Sequence, residues 1–405
     1  MRFAHLSDCH IGCWRDPKLR KASIEAFKTA IDKCIEMTVD FIIISGDLFN
    51  TSQPSIDELK EAVIKLKQLH DRVIPVYLVA GSHDFSPSGK TMLDVLENAG
   101  LVKNVAEGES EGNSLKLKFV IDKKTGAKIT GLLGKKGGLE KGFYSDLDKT
   151  NLEKEDGYKI FLFHTAIAEL KTPDLEEMEA MPASLLPIGF DYYAGGHVHK
   201  VICEKQGKGL IVFPGPVFPT NFKEIEELGQ GGFYIVTAEG HQTEAEFVPL
   251  NVYNVFPIAI SCDNKTPEEV ILEITEKTKL MQFNNTIVTV RLYGTLKSGR
   301  PSDINFKALN DIFSSKSAYF VMKNTAALKS VEFEEIKVDF NSVDDIEQKL
   351  IEEHAGKIKA AGMSISQEKE LTKSLMNSLN KEKEEGERVA DFETRLLGEL
   401  KAIIG

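Results

Sequence analysis

Five short clusters of acidic and imidazole side chains lie along the first half of this chain. They are Asp8-Cys9-His10, Gly46-Asp47, Gly81-Ser82-His83-Asp84, a lone His164, and Gly195-Gly196-His197-Val198-His199. Carboxylate and imidazole groups, joined by a neutral oxygen such as that of Ser82, are ligands that hold two hard or borderline divalent ions side by side. A Gly-His-x-His pattern alone is common surface chemistry. Order gives it weight: each cluster follows a run of β-type apolar residues, and strand ends of an α/β sheet converge on one face. Gly46 permits the tight turn that aims Asp47 at the ions, where one carboxylate can bridge both.

The intervening segments read as the elements that position these groups. Arg2–Ser7 is predicted as a first strand. Lys21–Met37 has helical spacing through Ile24, Phe27, Ile31 and Ile35, and returns to Phe41–Ser45, a buried parallel strand. A helix over Ile56–Leu69 leads to a strand over Val73–Ala80 and the third cluster. Thr91–Ala99 reads as a helix with Met92, Val95 and Leu96 facing inward or to an interface. Residues 115–134 read as a strand pair, and Lys159–Phe163 as a buried strand ending at His164. Leu210–Phe213 and Gly232–Val236 supply further strands of a second sheet. The expected fold class is α/β, a four-layer α/β/β/α sandwich over residues 1–252.

The organisation changes near Val252. Pro257–Ser261, Pro267–Lys279, Thr286–Tyr293, Asn305–Phe313, Ala318–Met322 and Ser330–Val338 read as β-α-β-α-β-β, a smaller α+β domain over 253–340 without candidate ligands. Residues 341–405 are polar and helical, with three apolar stripes: Val343, Ile346, Leu350, His354 and Ile358; Leu371, Leu375 and Leu379; Val389, Phe392, Leu396, Leu400 and Ile403. Such a tail folds back on itself or binds a partner's helices. Ser86-Pro87-Ser88-Gly89-Lys90-Thr91 resembles a phosphate loop, but the glycine required five residues before Gly89 is Asp84, so nucleotide binding there is rejected.

Apolar content of 42% and charged content of 28% are those of a globular protein, and no apolar run approaches the ~18 residues of a membrane span. A cleaved leader is not expected, because its removal would take Asp8 and His10. Cys9, Cys13, Cys34, Cys203 and Cys262 are an odd, scattered set, read as reduced thiols of a cytoplasmic protein. The net charge of −12 argues against wholesale electrostatic binding of nucleic acid. Local basic paths remain: Lys123, Lys124, Lys128, Lys135, Lys136 and Lys141, then Lys200, Lys205 and Lys208. These are candidates for phosphate contacts, against the plain reading of a solvated surface.

The ordered clusters resemble the calcineurin-like metallophosphoesterase superfamily, whose pattern runs Asp-x-His, Gly-Asp, Gly-Asn-His-Asp/Glu, His, Gly-His-x-His. One position departs, since Ser82 stands where the family has asparagine. Gly46-Asp47-Leu48-Phe49, Phe190-Asp191-Tyr192-Tyr193-Ala194-Gly195-Gly196-His197-Val198-His199-Lys200 and Phe213-Pro214-Gly215-Pro216 look like the SbcD-type nuclease subunit of the double-strand-break repair nuclease–ATPase complex.

The resemblance implies that Asp8, His10 and His199 hold one ion, that His164, His197 and the oxygen of Ser82 hold a second, and that Asp47 bridges them. It implies two Mn2+ per chain. His83 would protonate the leaving oxygen, with Asp84 orienting its ring. The implied activity is a manganese-dependent 3′-to-5′ exonuclease and single-strand endonuclease on DNA ends. The implied partners are an ABC-type coiled-coil ATPase bound through 341–405 and a second copy of the chain, with Leu59 and Val95 at that contact. The 253–340 domain would cap the site and touch DNA, with Arg291, Lys297 and Arg300 as phosphate contacts. Two alternatives stand beside this: a phosphodiesterase or phosphatase for small substrates, and a DNA-end-binding scaffold with an impaired second metal site.

Overall fold

Alternation along β1 (Arg2–Leu6) sets the layering. Ala4 and Leu6 turn toward a helical layer, whereas Phe3 and His5 turn toward a second sheet. The computed structural model describes residues 1–86, 90–112, 114–135, 140–331, 351, 364–381 and 389–404. They divide into two units, Met1–Ser330 and Val331–Gly405. Lys136, the Val343–Ile358 stripe and the end of the expected Ser330–Val338 strand lie outside the described residues.

In the first unit β1, β2 (Phe41–Ser45), β3 (Val76–Val79) and β4 (Lys103–Asn104) run parallel. A hairpin of β5 (Gly108–Glu111) and β6 (Ser114–Leu117) stands apart from them. The second sheet is built on β7 (Val120–Ile121), β8 (Lys128–Gly131) and β9 (Lys159–His164), with a small pair, β10 (Ala166–Ile167) and β11 (Ala180–Met181), beside it. Its remaining strands are β12 (Tyr192–Gly196), β13 (Ile202–Gln206) and β14 (Gly209–Phe213), in the order β13-β14-β12-β9-β8-β7. β15 (Gly232–Glu239) and β16 (Gln242–Pro249) complete the first sheet as β16-β15-β1-β2-β3-β4. The expectation that Gly232–Val236 joins the second sheet is therefore wrong: it pairs antiparallel with β1 and closes that strand's open side. An apolar run announces burial but not the neighbour that provides it.

Phe3, Phe41, Ile43, Ile160, Leu162, Tyr192 and Val212 fill the space between the sheets. Helices α1 (Pro17–Glu36), α2 (Ile56–Asp71) and α3 (Met92–Asn98) cover the first sheet's outer face. Short helices α4 (Lys141–Ser145) and α5 (Thr150–Lys154) cover that of the second through Tyr144 and Leu152. The layering is α/β/β/α, as expected. Helix α1 begins four residues before the predicted Lys21, because the Asp16 side chain caps Lys18 N–H and Pro17 stands in the first turn. On α2, Leu59 packs against the helix–sheet core, while Val95 on α3 is 53% exposed.

Helix α6 (Phe222–Leu228) precedes β15. Beyond the sandwich, β17 (Asn254–Ser261), α7 (Pro267–Thr278), β18 (Thr286–Leu296), α8 (Phe306–Ser315) and β19 (Phe320–Ser330) form a parallel three-stranded layer with its own core around Ile260, Ile274 and Phe313. Of the two final strands expected there, β19 covers the first and runs on to Ser330, while all but the start of the second, Ser330–Val338, lies outside the described residues. Among the described residues β19 is an edge strand, and within it only Leu328 and Ser330 are buried. In the second unit, helices Ile365–Leu379 and Val389–Ile404 face one another, with Ser378 and Lys381 both bound to Glu399. Among the described residues no helix is long and apolar enough to cross a membrane.

Candidate metal centre

Every cluster singled out in the sequence leaves the C-terminal end of a parallel strand. Asp8 and His10 follow β1, Asp47 follows β2, Ser82 and His83 follow β3, His164 ends β9, and His197 and His199 follow β12. The loops after β1 and β2 run together, with Asp8 N–H on Gly46 C=O, His10 N–H on Asp47 C=O and Ile11 N–H on Leu48 C=O. Asp8, His10, Asp47 and His197 all have positive φ. Such conformations are strained outside glycine and persist where the surroundings over-determine them. Gly81 is required by crowding, since a Cβ there would lie 2.2 Å from Asp47 Oδ1.

Ligand-type atoms converge in three overlapping clusters: Asp8, His10 and His199; Asp8, Asp47 and His164; His10, Asp47 and His83. His10 Nε2 faces His199 Nε2 at 3.1 Å and Asp47 Oδ2 at 3.6 Å, while His199 Nε2 lies 3.5 Å from Asp8 Oδ1. His164 Nε2 stands 3.2 Å from the same Asp47 Oδ2, off the line of a hydrogen bond. Octahedral bonds of roughly 2.1 Å put neighbouring ligand atoms about 3 Å apart and opposite ones about 4 Å apart. The spacings and the donor set fit a divalent ion, with Asp47 Oδ2 common to two positions.

Backbone and carboxylate partners set which nitrogen faces the centre. His164 Nδ1 lies 2.7 Å from Ser45 C=O, which only accepts, so Nδ1 carries the proton and Nε2 is left for a metal. His199 Nδ1 lies 2.9 Å from Glu224 Oε1 and is held in the same sense. Asp8 accepts the His197 N–H at 3.1 Å, and Asp47 accepts the His83 N–H at 2.7 Å. Below the centre, buried His5 bridges Tyr192 Oη and Ser45 Oγ; burial pushes it down to about 3, so it is neutral.

In the metal-free protein, burial disfavours the charged carboxylate of Asp8, but His199 holds it well below the usual range. Burial likewise opposes ionised Asp47, and His164 outweighs it. Burial lowers His10 to about 4 and also lowers His197. For His164 and His199 burial again opposes charge, but the carboxylates prevail: Asp47 carries His164 up to about 9, and Asp8 with Glu224 carries His199 up to about 10.

Two expected placements differ from the contacts. Asp84 does not touch the His83 ring: its carboxylate accepts the N–H groups of Leu48, Phe49 and Gly81. Burial and the Asp47 charge nonetheless push it up to about 6. The ring partner of His83 is the Asn50 carbonyl, 2.8 Å from Nδ1, and the ring stands edge-on to His10 with centroids 4.8 Å apart. His197 lies beside His164, ring centroids 5.2 Å apart, outside the three tight clusters. Ser82 Oγ is 3.5 Å from Asp47 Oδ2.

Several cations proposed for phosphate are committed to carboxylates: Lys124 to Asp40, Lys128 to Glu155, Lys141 to Glu179, Lys200 to Asp174, Lys208 to Asp191, Lys297 to Glu269 and Arg291 to Glu226. Lys135 differs, its ammonium lying 4.1 Å from the Phe143 ring centroid and 5.4 Å from that of Phe85. All five cysteines are free, and burial raises the Cys9 thiol well above its ordinary value and Cys13 to about 12, which leaves both protonated. Glu224 was missed in the sequence. Its only local signal is the Asn-x-x-Glu cap of α6, with Asn221 as N-cap.

This fold and centre define a calcineurin-like metallophosphoesterase domain: residues 1–201 match the calcineurin-like phosphoesterase family. The chain is a homologue of archaeal proteins named DNA double-strand break repair protein Mre11. It is 27% identical to that of Archaeoglobus fulgidus over 373 residues, covering 87% of this chain and 80% of the relative. It is 26% identical to that of Methanocaldococcus jannaschii over 382 residues, covering 87% and 93%. With that of Methanococcus maripaludis it shares 31% identity over 258 residues, covering 59% and 64%.

Proposed function

We propose that this chain is a cytoplasmic, manganese-dependent DNA nuclease that processes ends in double-strand-break repair, with two ions held by Asp8, His10, Asp47, Ser82, His164, His197 and His199. The observation that carries this reading is the single oxygen, Asp47 Oδ2, set 3.6 Å from His10 Nε2 and 3.2 Å from His164 Nε2. The similarity to Mre11 proteins supplies the substrate class. When bound, the ions neutralise a phosphodiester and lower the pKa of water.

The chain's own residues do the rest. Glu224 and the Ser45 carbonyl fix the Nδ1–H tautomers of His199 and His164, which aims both Nε2 atoms inward. The Asn50 carbonyl only accepts, so it takes the His83 Nδ1–H and leaves Nε2 as the nitrogen that faces a departing oxygen and can pass it a proton. Asp84 holds the loops after β2 and β3 together rather than tuning that ring. Lys135 is a candidate phosphate contact, since among the described residues its ammonium lies over the Phe143 and Phe85 rings rather than on a carboxylate. The 253–340 layer caps the site, and residues 341–405 bind an ABC-type ATPase subunit. Homodimerisation through α2 and α3 is supported by the exposure of Ile56, Ile64 and Val95, whereas Leu59 is a core contact.

Labelled linear DNA incubated with purified protein and Mn2+ tests the proposal. Degradation that His83→Ala lowers by about 10²–10⁴ supports it. Hydrolysis confined to small phosphoesters points instead to a small-substrate phosphodiesterase, and DNA binding without cutting points to a scaffold. Ser82 favours a weaker second ion, since a hydroxyl is shorter than an asparagine amide and a poorer donor to a hard cation.

A further inference from the structure

Helix α6 stands between the metal centre and the three-stranded layer, and it grips both. On one side Glu224 Oε1 accepts the His199 Nδ1–H at 2.9 Å. Its other oxygen is pinned by Thr220, whose N–H and Oγ1 donate at 2.7 and 2.9 Å. On the other side Glu226 Oε2 accepts two N–H groups of Arg291 on β18, that from Nε at 2.9 Å. The guanidinium also lies 5.1 Å from the ring centroid of Phe222, the first residue of the same helix. Arg291 and Glu226 are only 33% and 16% exposed, so this pair is screened less than a surface one.

A helix of seven residues does not hold itself, and its position comes from what it packs against. Ile225 anchors it in the sandwich core. Thr220 and the Asn221 cap hold its first turn, the Arg291 grip ties it to β18, and Glu226 is separated from Glu224 by one residue. A small shift of α6 therefore moves the carboxylate that sets the tautomer and aim of His199.

We propose that Arg291 is a positioning residue for the metal centre: acting through Glu226 and α6, it holds Glu224 against His199, so the three-stranded layer controls how tightly the ion of the Asp8, His10 and His199 position is bound. This rests on the metal-centre reading above. It also gives Arg291 a task other than touching DNA. The mechanism is selective. The His164 position is oriented by the Ser45 carbonyl of β2 rather than by a side chain of α6.

The test is calorimetric titration of metal-free full-length protein with Mn2+, with free Mn2+ followed by electron paramagnetic resonance. Removing a group that orients a ligand from outside the coordination sphere lowers metal affinity by about 10–100-fold, so Glu224→Ala should weaken one ion by that factor. Arg291→Ala acts one contact further out and should weaken the same ion about 3–10-fold. The other ion should stay within about twofold. Arg291→Lys, a point charge without the planar fork, should fall between. The charge exchange Glu226→Arg with Arg291→Glu should restore most of the loss, and Lys297→Ala, which breaks an exposed pair in the same layer, should change nothing.

Unchanged binding in Arg291→Ala, equal weakening of both ions, or no rescue by the exchanged pair overturns the proposal while leaving the metal centre standing. Wild-type protein that takes up no Mn2+ removes the centre itself. If Arg291→Ala does not fold, judged by its circular-dichroism melt, Arg291→Lys and the exchanged pair decide the matter.

Discussion

Loading the metal-free protein with Mn2+ should expel about two protons per chain near neutral pH, and the number follows from the contacts. His164 is raised to about 9 and His199 to about 10, so both carry a second proton near pH 7.5. A metal at either Nε2 must displace that proton. His10, lowered to about 4, and His197, also lowered, are already neutral, while Asp8 and Asp47 are already ionised. None of these four contributes. Affinity should therefore rise about tenfold per pH unit, flattening above about 9 for the ion at His164 and above about 10 for the ion at His199. The stability of the metal-free protein follows with its sign fixed. Histidines raised in the folded state stabilise it fully below their unfolded value near 6.5, and that contribution is lost as pH rises through about 9 and about 10. Calorimetry in buffers of different ionisation enthalpy counts the protons, and melting curves between about pH 6 and 10 check the sign. Two bound ions with close to zero protons released would refute the electrostatic account of the site.

Three further outcomes are expected. Ser82→Asn should lower the Mn2+ concentration for half-maximal activity, and an unmoved titration curve would mean that position 82 does not reach the ion. Gly81→Ala should cost about 1–3 kcal/mol and weaken uptake of both ions that Asp47 is proposed to bridge, because the new Cβ lies 2.2 Å from Asp47 Oδ1; melting and metal titration read both effects. Asp84→Asn should lower stability by about 1–3 kcal/mol, since an amide cannot accept all three N–H groups from Leu48, Phe49 and Gly81. A variant that melts like the wild type but shifts the pH–rate profile would restore Asp84 to the role of orienting His83.

Much of this centre was legible before any coordinates, for a physical reason. Parallel strands buried on both faces are written as apolar runs, and the residue after each run is bound for the same edge of the sheet. That logic reaches Asp8, Asp47 and His164 directly. It does not reach pairing between distant segments, so Gly232–Val236 was assigned to the wrong sheet, nor partners supplied across the fold. Asp84 follows His83 in the chain and invited a local reading, but its oxygens are spent on backbone N–H groups from two loops. The actual partners of the rings are the Asn50 carbonyl, the Ser45 carbonyl and Glu224. Carbonyls carry no sequence signature at all. Arg291 and most of the lysines read as candidate phosphate contacts because charge is visible in a sequence, whereas the carboxylate that neutralises it is not.

Backbone strain explains why the ligand positions are so tightly tied. Nine non-glycine residues have positive φ among the described residues, and Asp8, His10, Asp47 and His197 are four of them. At about 1–3 kcal/mol each, these conformations would relax if the loops were free. They are opposed by interlocking hydrogen bonds: Asp8 N–H to Gly46, His10 N–H to Asp47, His197 N–H to the Asp8 carboxylate, and His83 N–H to the Asp47 carboxylate. Each bond joins two different ligand loops, so no loop can relax alone. The two aspartates thus act twice, offering oxygen to the centre and clamping the neighbouring loop. Removing either carboxylate should loosen the other proposed ligands as well as delete one, and its effect on metal binding should exceed that of losing His197, proposed as a terminal ligand.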